Sequence, residues 1–279
     1  MSNNNFIKSP LQYTGGKFKI LKYIIPLFPN KIHTFVDLFG GGFNVGVNVD
    51  AENIVYNDVL TPVVELLQYI YNTDTKKLLK EIESYIKEYE LSKENQEGYL
   101  KLREHYNQSI DKKPMELYTL ICYGFNNQIR FNSKGEFNIP FGKREFNSIL
   151  REKFGAFSRE MHTKKIAFVN KNFNELKIDK LNETSFCYID PPYLGSTATY
   201  NEQGGWTEDN EKELLLLLDK LTEQGVPWAL SNNLKYENLL LEDFIKKYKV
   251  HYLGSVNYKN CSYQKKDKEA DIEVLITNY

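Results

Sequence analysis

Apolar and polar positions follow two different rhythms along this chain. In the first and last thirds, short apolar runs end abruptly in glycine, proline or aspartate. Thr34-Phe-Val-Asp-Leu-Phe stops at Gly40-Gly41-Gly42, Asn53-Ile-Val-Tyr-Asn-Asp58 precedes Thr61-Pro62, and Ser185-Phe-Cys-Tyr-Ile-Asp190 stops at Pro191-Pro192. Runs of this length between turn residues predict strands buried on both faces. Val226-Pro-Trp-Ala-Leu-Ser231, Val250-His-Tyr-Leu-Gly254 and Ile272-Glu-Val-Leu-Ile-Thr277 predict three more, the last two joined by a polar loop. Between them fall helical stretches. One opens at Thr61-Pro62, where proline is tolerated in a first turn. One is capped at Thr207, has acidic residues in its first turn, carries Leu214 to Leu218 as a packing surface and ends near Gly225. A third covers Leu239 to Tyr248. Such alternation predicts an α/β fold with a mostly parallel sheet covered on both faces and an antiparallel hairpin at one edge.

Between about Thr73 and Thr163 the rhythm changes. Residues 76 to 121 read as helical with balanced charge. After them Gly124-Phe-Asn-Asn-Gln-Ile-Arg-Phe-Asn-Ser-Lys-Gly135-Glu-Phe-Asn-Ile-Pro-Phe-Gly142 alternates apolar and polar positions around Ser133-Lys134-Gly135, the pattern of a β-hairpin. This block reads as an insertion. It divides the chain into residues 1–72 and 164–279, the two parts of an α/β domain, and an inserted region at 73–163.

Charge sharpens that division. The chain as a whole carries a net charge of −1. From Ile129 to Lys165, nine basic residues face four acidic ones, so this segment is at +5 and the remainder at −6. Local positive charge is what phosphate contacts require, although a solvated helix face has the same signature. Cys122, Cys187 and Cys261 stand far apart, without metal-ligand spacing, and read as ordinary thiols rather than a zinc site or disulfides. No metal is expected. The longest apolar run, Leu214 to Leu218, is far short of a membrane span of about 20 residues. With no basic and apolar leader at the start, the expectation is a cytoplasmic protein.

Candidate chemistry lies where the predicted strands end. Asp190-Pro191-Pro192-Tyr193 sits at the carboxyl end of a buried strand, the edge at which open α/β sheets bind ligands. Two prolines alone would only stop a strand. A carboxylate and an aromatic ring flanking them suit a reaction at an aromatic amine. Asp190 and a proline carbonyl can accept hydrogen bonds from the amino group and stabilise positive charge developing on it. The fixed φ of proline holds both groups rigidly, and Tyr193 can stack on a base rotated out of a duplex. A second constellation is Asp37-Leu-Phe39-Gly40-Gly41-Gly42 with Asn57-Asp58. Asp58 follows Gly40 by 18 residues, near the spacing at which an acidic residue meets a ribose in nucleotide-binding α/β folds. Third, Tyr13-Thr-Gly15-Gly16-Lys17 either starts a helix or brings Lys17 near a carboxylate, such as the methionine end of a cofactor.

These signals, in this order, resemble the Dam-type family of DNA adenine N6-methyltransferases, which recognise GATC or related short sites. The likeness runs over nearly the whole chain and includes Arg130-Phe-Asn-Ser-Lys-Gly-Glu-Phe-Asn-Ile-Pro-Phe-Gly142 and Ile276-Thr-Asn-Tyr279. It implies a Rossmann-like class I methyltransferase sheet with a terminal antiparallel hairpin, and an inserted helical and β-hairpin target-recognition domain. It further implies S-adenosylmethionine as methyl donor and N6 of a flipped adenine in double-stranded DNA as acceptor. Matching residues imply cofactor contacts from Tyr13, Lys17, Asp37, Phe39, Gly40, Gly42, Asp58, Asn172, Phe173 and Asp190. Target-adenine contacts fall to Asp190, Pro191, Pro192 and Tyr193, and DNA contacts to Arg130, Asn132, Lys134, Lys143 and Arg144. Tyr13 stands where the family usually has tryptophan, Asn172 where it often has aspartate, and Asn127 where many members have glycine. Such enzymes can accompany a restriction endonuclease acting on the same site, and a monomer or a weak dimer is expected. Two rival readings are a methyltransferase of this fold acting on RNA or another amino group, and a DNA-binding module that has lost catalysis. The aspartate of the Pro-Pro motif favours adenine, and the intact Lys17, Asp58 and Asp190 favour an enzyme.

Overall fold

A computed structural model describes residues 6–13, 15–195, 205–234, 238–253 and 272–279. Seven strands form one sheet: β1 (Thr34–Asp37), β2 (Asn53–Asn57), β3 (Ile166–Val169), β4 (Ser185–Ile189), β5 (Trp228–Asn233), β6 (Lys249–Tyr252) and β7 (Glu273–Thr277). Their order is β3-β2-β1-β4-β5-β7-β6. The first five run parallel, and β7 lies antiparallel between β5 and β6. The expected α/β class and the edge hairpin of β6 and β7 are therefore present.

The pairing order has a consequence for function. From β1 the chain moves outward to β2 and β3, whereas from β4 it moves the opposite way. β1 and β4 are neighbours, with Asp37 in register with Tyr188. The connections leaving their carboxyl ends diverge and open a crevice between them, the topological switch point of an open α/β sheet. Asp37 and Asp190 mark its two sides.

Side chains alternate across the sheet as pleated geometry requires. Phe35, Tyr56, Phe186 and Tyr188 face one core; Val36, Cys187, Ile189, Trp228 and Leu230 face the other. Against the second face pack α7 (Glu208–Glu223) and α8 (Leu239–Phe244). Leu214, Leu215 and Leu218 of the leucine run are buried there and Leu216 is exposed, as helical spacing dictates. α7 begins with the Thr207–Asn210 capping box, and Asn238 caps α8 by accepting from the Leu241 N–H.

The first face carries α1 (Leu21–Ile24), α2 (Thr61–Asn72), α3 (Thr75–Glu88), α4 (Gln96–Gln108), α5 (Pro114–Tyr123) and α6 (Ser148–His162). Asp74, Asn95 and Asn147 cap α3, α4 and α6 through their side chains. Every residue from Met115 to Tyr123 of α5 is buried, so this helix is the packing centre of residues 73–163. Residues of 73–163 such as Leu78, Leu102, Phe154 and Phe157 belong to the same apolar cluster as Phe35 and Phe186 of the sheet.

Several boundaries differ from the sequence expectation. The helical block at 76–121 resolves into three helices, broken at the polar stretches around residues 89–95 and 109–113. The helix expected to reach Tyr248 ends at Phe244 and tightens into a 3-10 turn. β5 extends beyond Ser231 to Asn233. β3 was not foreseen; its burial alternates weakly because it is an edge strand, and its apolar run is only four residues long. The expected hairpin is an irregular antiparallel ribbon, bridged at Gly124–Phe141 and Phe131–Phe137. Gly135 turns its tip at φ +74°, a value that favours glycine. Among the described residues no helix is long and apolar enough to cross a membrane.

Candidate active site

A cleft of about 350 Å³ occupies the switch point, within the range of small-molecule sites. Tyr13, Lys17, Asp37, Phe39, Gly40, Gly42, Asp58, Asn172, Phe173, Asp190, Pro191 and Pro192 all line it. Five separate stretches of the chain thus converge on one crevice.

The glycine loop after β1 is held from β2. Gly40 N–H donates to the Asn57 carbonyl at 2.8 Å, the Tyr56 hydroxyl donates to the Gly41 carbonyl at 2.8 Å, and Gly41 N–H donates to Asp58 Oδ2 at 2.8 Å. A Cβ on Gly40 would stand 2.3 Å from the buried Tyr56 ring, which leaves no room for a side chain. Asp58 also accepts from Leu60 N–H at 2.9 Å. Spacing suggested a ribose partner for Asp58; here its carboxylate also fixes the loop that shapes the cleft. Phe39, Phe173 and Trp206 form an aromatic wall, with ring centroids 5.4–5.7 Å apart.

Lys17 is 3% exposed and pairs with Asp190 Oδ1 at 2.8 Å while donating to the Gly15 carbonyl. The carboxylate it meets is therefore Asp190. Its ammonium also lies 5.1 Å from the centroid of the Tyr193 ring, within cation–π range. The Tyr193 hydroxyl stands 3.4 Å from Asp190 Oδ1.

Burial dominates the electrostatics. It pushes the Asp37 carboxyl up to about 8, opposed by the Gly46 N–H and reinforced by the charges of Asp190 and Asp58. Burial raises Asp58 as well, against the N–H groups of Leu60, Gly41 and Val59. Asp190 is raised by burial and lowered by Lys17 and by the Tyr193 hydroxyl. Concentrated perturbation of carboxyl groups in one crevice is characteristic of functional sites.

The chain matches the model of the D12 class N6 adenine-specific DNA methyltransferases over residues 13–258. It belongs to this family. Among curated relatives, the type II methyltransferase M.FokI of Planomicrobium okeanokoites is 46% identical over 99% of this chain and 43% of its own length. The modification methylase StsI of Streptococcus sanguinis is 40% identical over 100% of the chain and 44% of its own. The DNA adenine methylase of Escherichia coli K12 is 24% identical over 86% and 85%. The chain thus spans less than half the length of the first two. Membership in a D12 class family agrees with the resemblance drawn from the Asp-Pro-Pro-Tyr and glycine motifs.

The ribbon residues lie apart from the cleft, and none of the five lines it. Arg130 donates to Asn138 Oδ1 at 2.7 Å, and Asn132 Oδ1 accepts the N–H groups of Lys134 and Glu136 at 3.0 Å, which shapes the turn. Arg144 donates to Asn126 at 3.1 Å, and Lys134 and Lys143 are exposed. Asn127 explains its departure from glycine: at φ +52° it occupies the left-handed region that asparagine tolerates. Its side chain donates to the carbonyls of Ile121 and Cys122 at the end of α5. Elsewhere in the +5 segment Arg151 pairs with Glu83 and Lys164 with Glu160. The polar loop with Lys259, Lys265, Lys266 and Lys268, together with Cys261, lies outside the described residues.

Two groups at the site carry no motif in the sequence, Trp206 in the cleft and Glu273 beside it. Trp206 stands beside the capping box of α7, and Glu211 accepts its indole N–H at 2.6 Å. Glu273, buried at the start of β7, lies 3.4 Å from the Tyr193 hydroxyl. An isolated tryptophan and a glutamate inside an apolar strand carry no motif; only the buried position of that glutamate within Ile272-Glu-Val-Leu-Ile was a signal.

Proposed function

We propose that this chain transfers a methyl group from S-adenosylmethionine to N6 of adenine in double-stranded DNA, in a site-specific manner. The observation that carries this reading is that Asp190-Pro191-Pro192 and the glycine loop share one cleft, with Lys17 paired to the aspartate. The cleft fits an adenosyl cofactor. Gly40 lets the loop pack directly on the Tyr56 ring and so shapes the cleft, the Phe39–Phe173–Trp206 wall suits a purine, and Asp58 suits a ribose. Tyr13, Lys17, Asp37, Gly42 and Asn172 complete the proposed binding set. When bound, S-adenosylmethionine supplies an electrophilic methyl on a sulfonium and leaves as a neutral thioether.

The protein's own groups handle the amine. The lone pair of adenine N6 is delocalised into the ring and is a poor nucleophile. Asp190, with the Pro191 or Pro192 carbonyl, accepts hydrogen bonds from the amino group and favours the geometry in which that pair is free. The same groups stabilise positive charge as the new N–C bond forms, until the amine proton passes to solvent. Lys17 fixes the Asp190 carboxylate, and Tyr193 offers a stacking face to the flipped base. Residues 73–163 serve as the target-recognition region between catalytic parts 1–72 and 164–279. Arg130, Asn132, Lys134, Lys143 and Arg144 meet DNA there. A restriction endonuclease that cuts the same site is the expected companion.

Incubation with labelled S-adenosylmethionine and either duplex DNA or RNA tests the reading. Label should enter DNA and digest to N6-methyladenine. Label confined to RNA or to cytosine would overturn it.

A further inference from the structure

One buried charge has no task in that scheme. Glu273 is 2% exposed and opens β7, opposite Asn233 of β5. Because β7 runs antiparallel, its amino end delivers this carboxylate to the carboxyl ends of the parallel strands, where Asp190 sits. The Tyr193 hydroxyl bridges the two, 3.4 Å from Glu273 Oε2 and 3.4 Å from Asp190 Oδ1. Burial pushes the Glu273 carboxyl up, the charge of Lys17 and side-chain hydrogen bonds from Asn233 and Tyr193 oppose this, and the charge of Asp190 adds to it. A second buried carboxylate beside the first costs free energy, and packing alone would be better met by an apolar residue.

Charge balance gives it a purpose. Lys17 and Asp190 alone form a neutral pair, so a cation developing on the target amine would meet no net counter-charge. With Glu273 ionised, the cluster holds one net negative charge, in surroundings where a fixed charge acts strongly. We propose, on the functional reading above, that Glu273 is a positioning residue of the transfer site. It holds the Tyr193 hydroxyl and adds a net negative charge beside the Lys17–Asp190 pair, which faces the cation developing on the amine. The titratable groups around this cluster are Lys17 ahead of α1, Tyr188 and Asp190 at the end of β4, Tyr193 beyond it, and Asp37 of β1.

The test uses the whole chain, S-adenosylmethionine and a duplex that the wild-type protein methylates, with single-turnover rates from about pH 5 to 9. Glu273→Gln keeps the shape and removes the charge. Its rate should fall about tenfold. The acidic limb of its pH–rate profile should move to lower pH, because removing a negative neighbour lowers the Asp190 carboxyl. Glu273→Asp retains the charge and should leave that limb in place. Losses in Tyr193→Phe and Glu273→Gln should be less than additive, since both remove one shared contact. A wild-type rate with an unmoved acidic limb in Glu273→Gln overturns the proposal. If that variant does not fold, an acidic limb displaced in Glu273→Asp, together with strict additivity between Glu273→Asp and Tyr193→Phe, overturns it equally. A wild-type protein that methylates no duplex refutes the functional reading instead.

Discussion

The cleft and the ribbon are both polar, in opposite senses. In the cleft most charged groups are buried or half-buried, mostly acidic and anchored by backbone N–H groups or by Lys17. On the ribbon they are half-buried or exposed and mostly basic, and the arginines bond to side chains of the same ribbon, Arg130 to Asn138 and Arg144 to Asn126. The difference follows from what each region has to bind. A reaction centre gains from groups fixed before the substrate arrives. A surface that tracks phosphates gains from cations that keep their water until contact, because the favourable term is counterion release. Partners held on the ribbon are neutral amides, which a phosphate or a base edge can displace at modest cost.

Substitution at the fixed end should have the largest effect. Asp190→Asn and Tyr193→Ala should each lower turnover about 10²-fold or more while leaving the melting transition near wild type. Turnover at the wild-type rate in either variant would show that the rigid cleft is not where the amine is activated. A medium effect concerns pH. The Asp37 carboxyl has an ordinary value of 3.8 and is held at about 8 in the fold. Between those values the unfolded chain gives up the proton and the folded chain keeps it. Its stabilising contribution is therefore complete below about pH 4 and is lost as pH climbs toward 8, by at most about 1.4 kcal/mol per unit. Melting of Asp37→Asn should accordingly depend less on pH across that window. An identical slope in the variant would mean that Asp37 is ionised in the fold. The smallest effect belongs to the ribbon. Lys134→Ala and Lys143→Ala should each reduce the slope of log affinity against log salt by about 1 and leave cofactor binding untouched. If cofactor affinity changed as well, cleft and ribbon would not be separable.

What could be read from the sequence differs between the same two regions. Asp190-Pro191-Pro192-Tyr193 and the Gly40 loop were legible because each joins a strand end to residue types that local backbone geometry alone does not require. The sheet was legible because fully buried parallel strands such as Ser185–Ile189 are unbroken apolar runs. β3 was hidden by its place at an edge, where burial is partial. The pairing of Lys17 with Asp190 and the approach of Trp206 and Glu273 were hidden because they join residues far apart in sequence. They are set by strand order, which periodicity does not encode. For the ribbon, charge and alternation were visible, whereas the internal hydrogen bonds that hold Arg130 and Asn132 depend on the exact register of an irregular turn.

The place of β7 also bears on how the protein is made. β6 leaves the ribosome before the strand that joins it to the sheet, and one edge of β5 stays open until β7 arrives. The described sheet is thus completed from the inside, by a strand inserted between β5 and β6, rather than extended outward at its rim. The cofactor-loop residues precede β7 in the chain, so the Glu273 carboxylate reaches the rim of the cleft only once that strand has paired with β5.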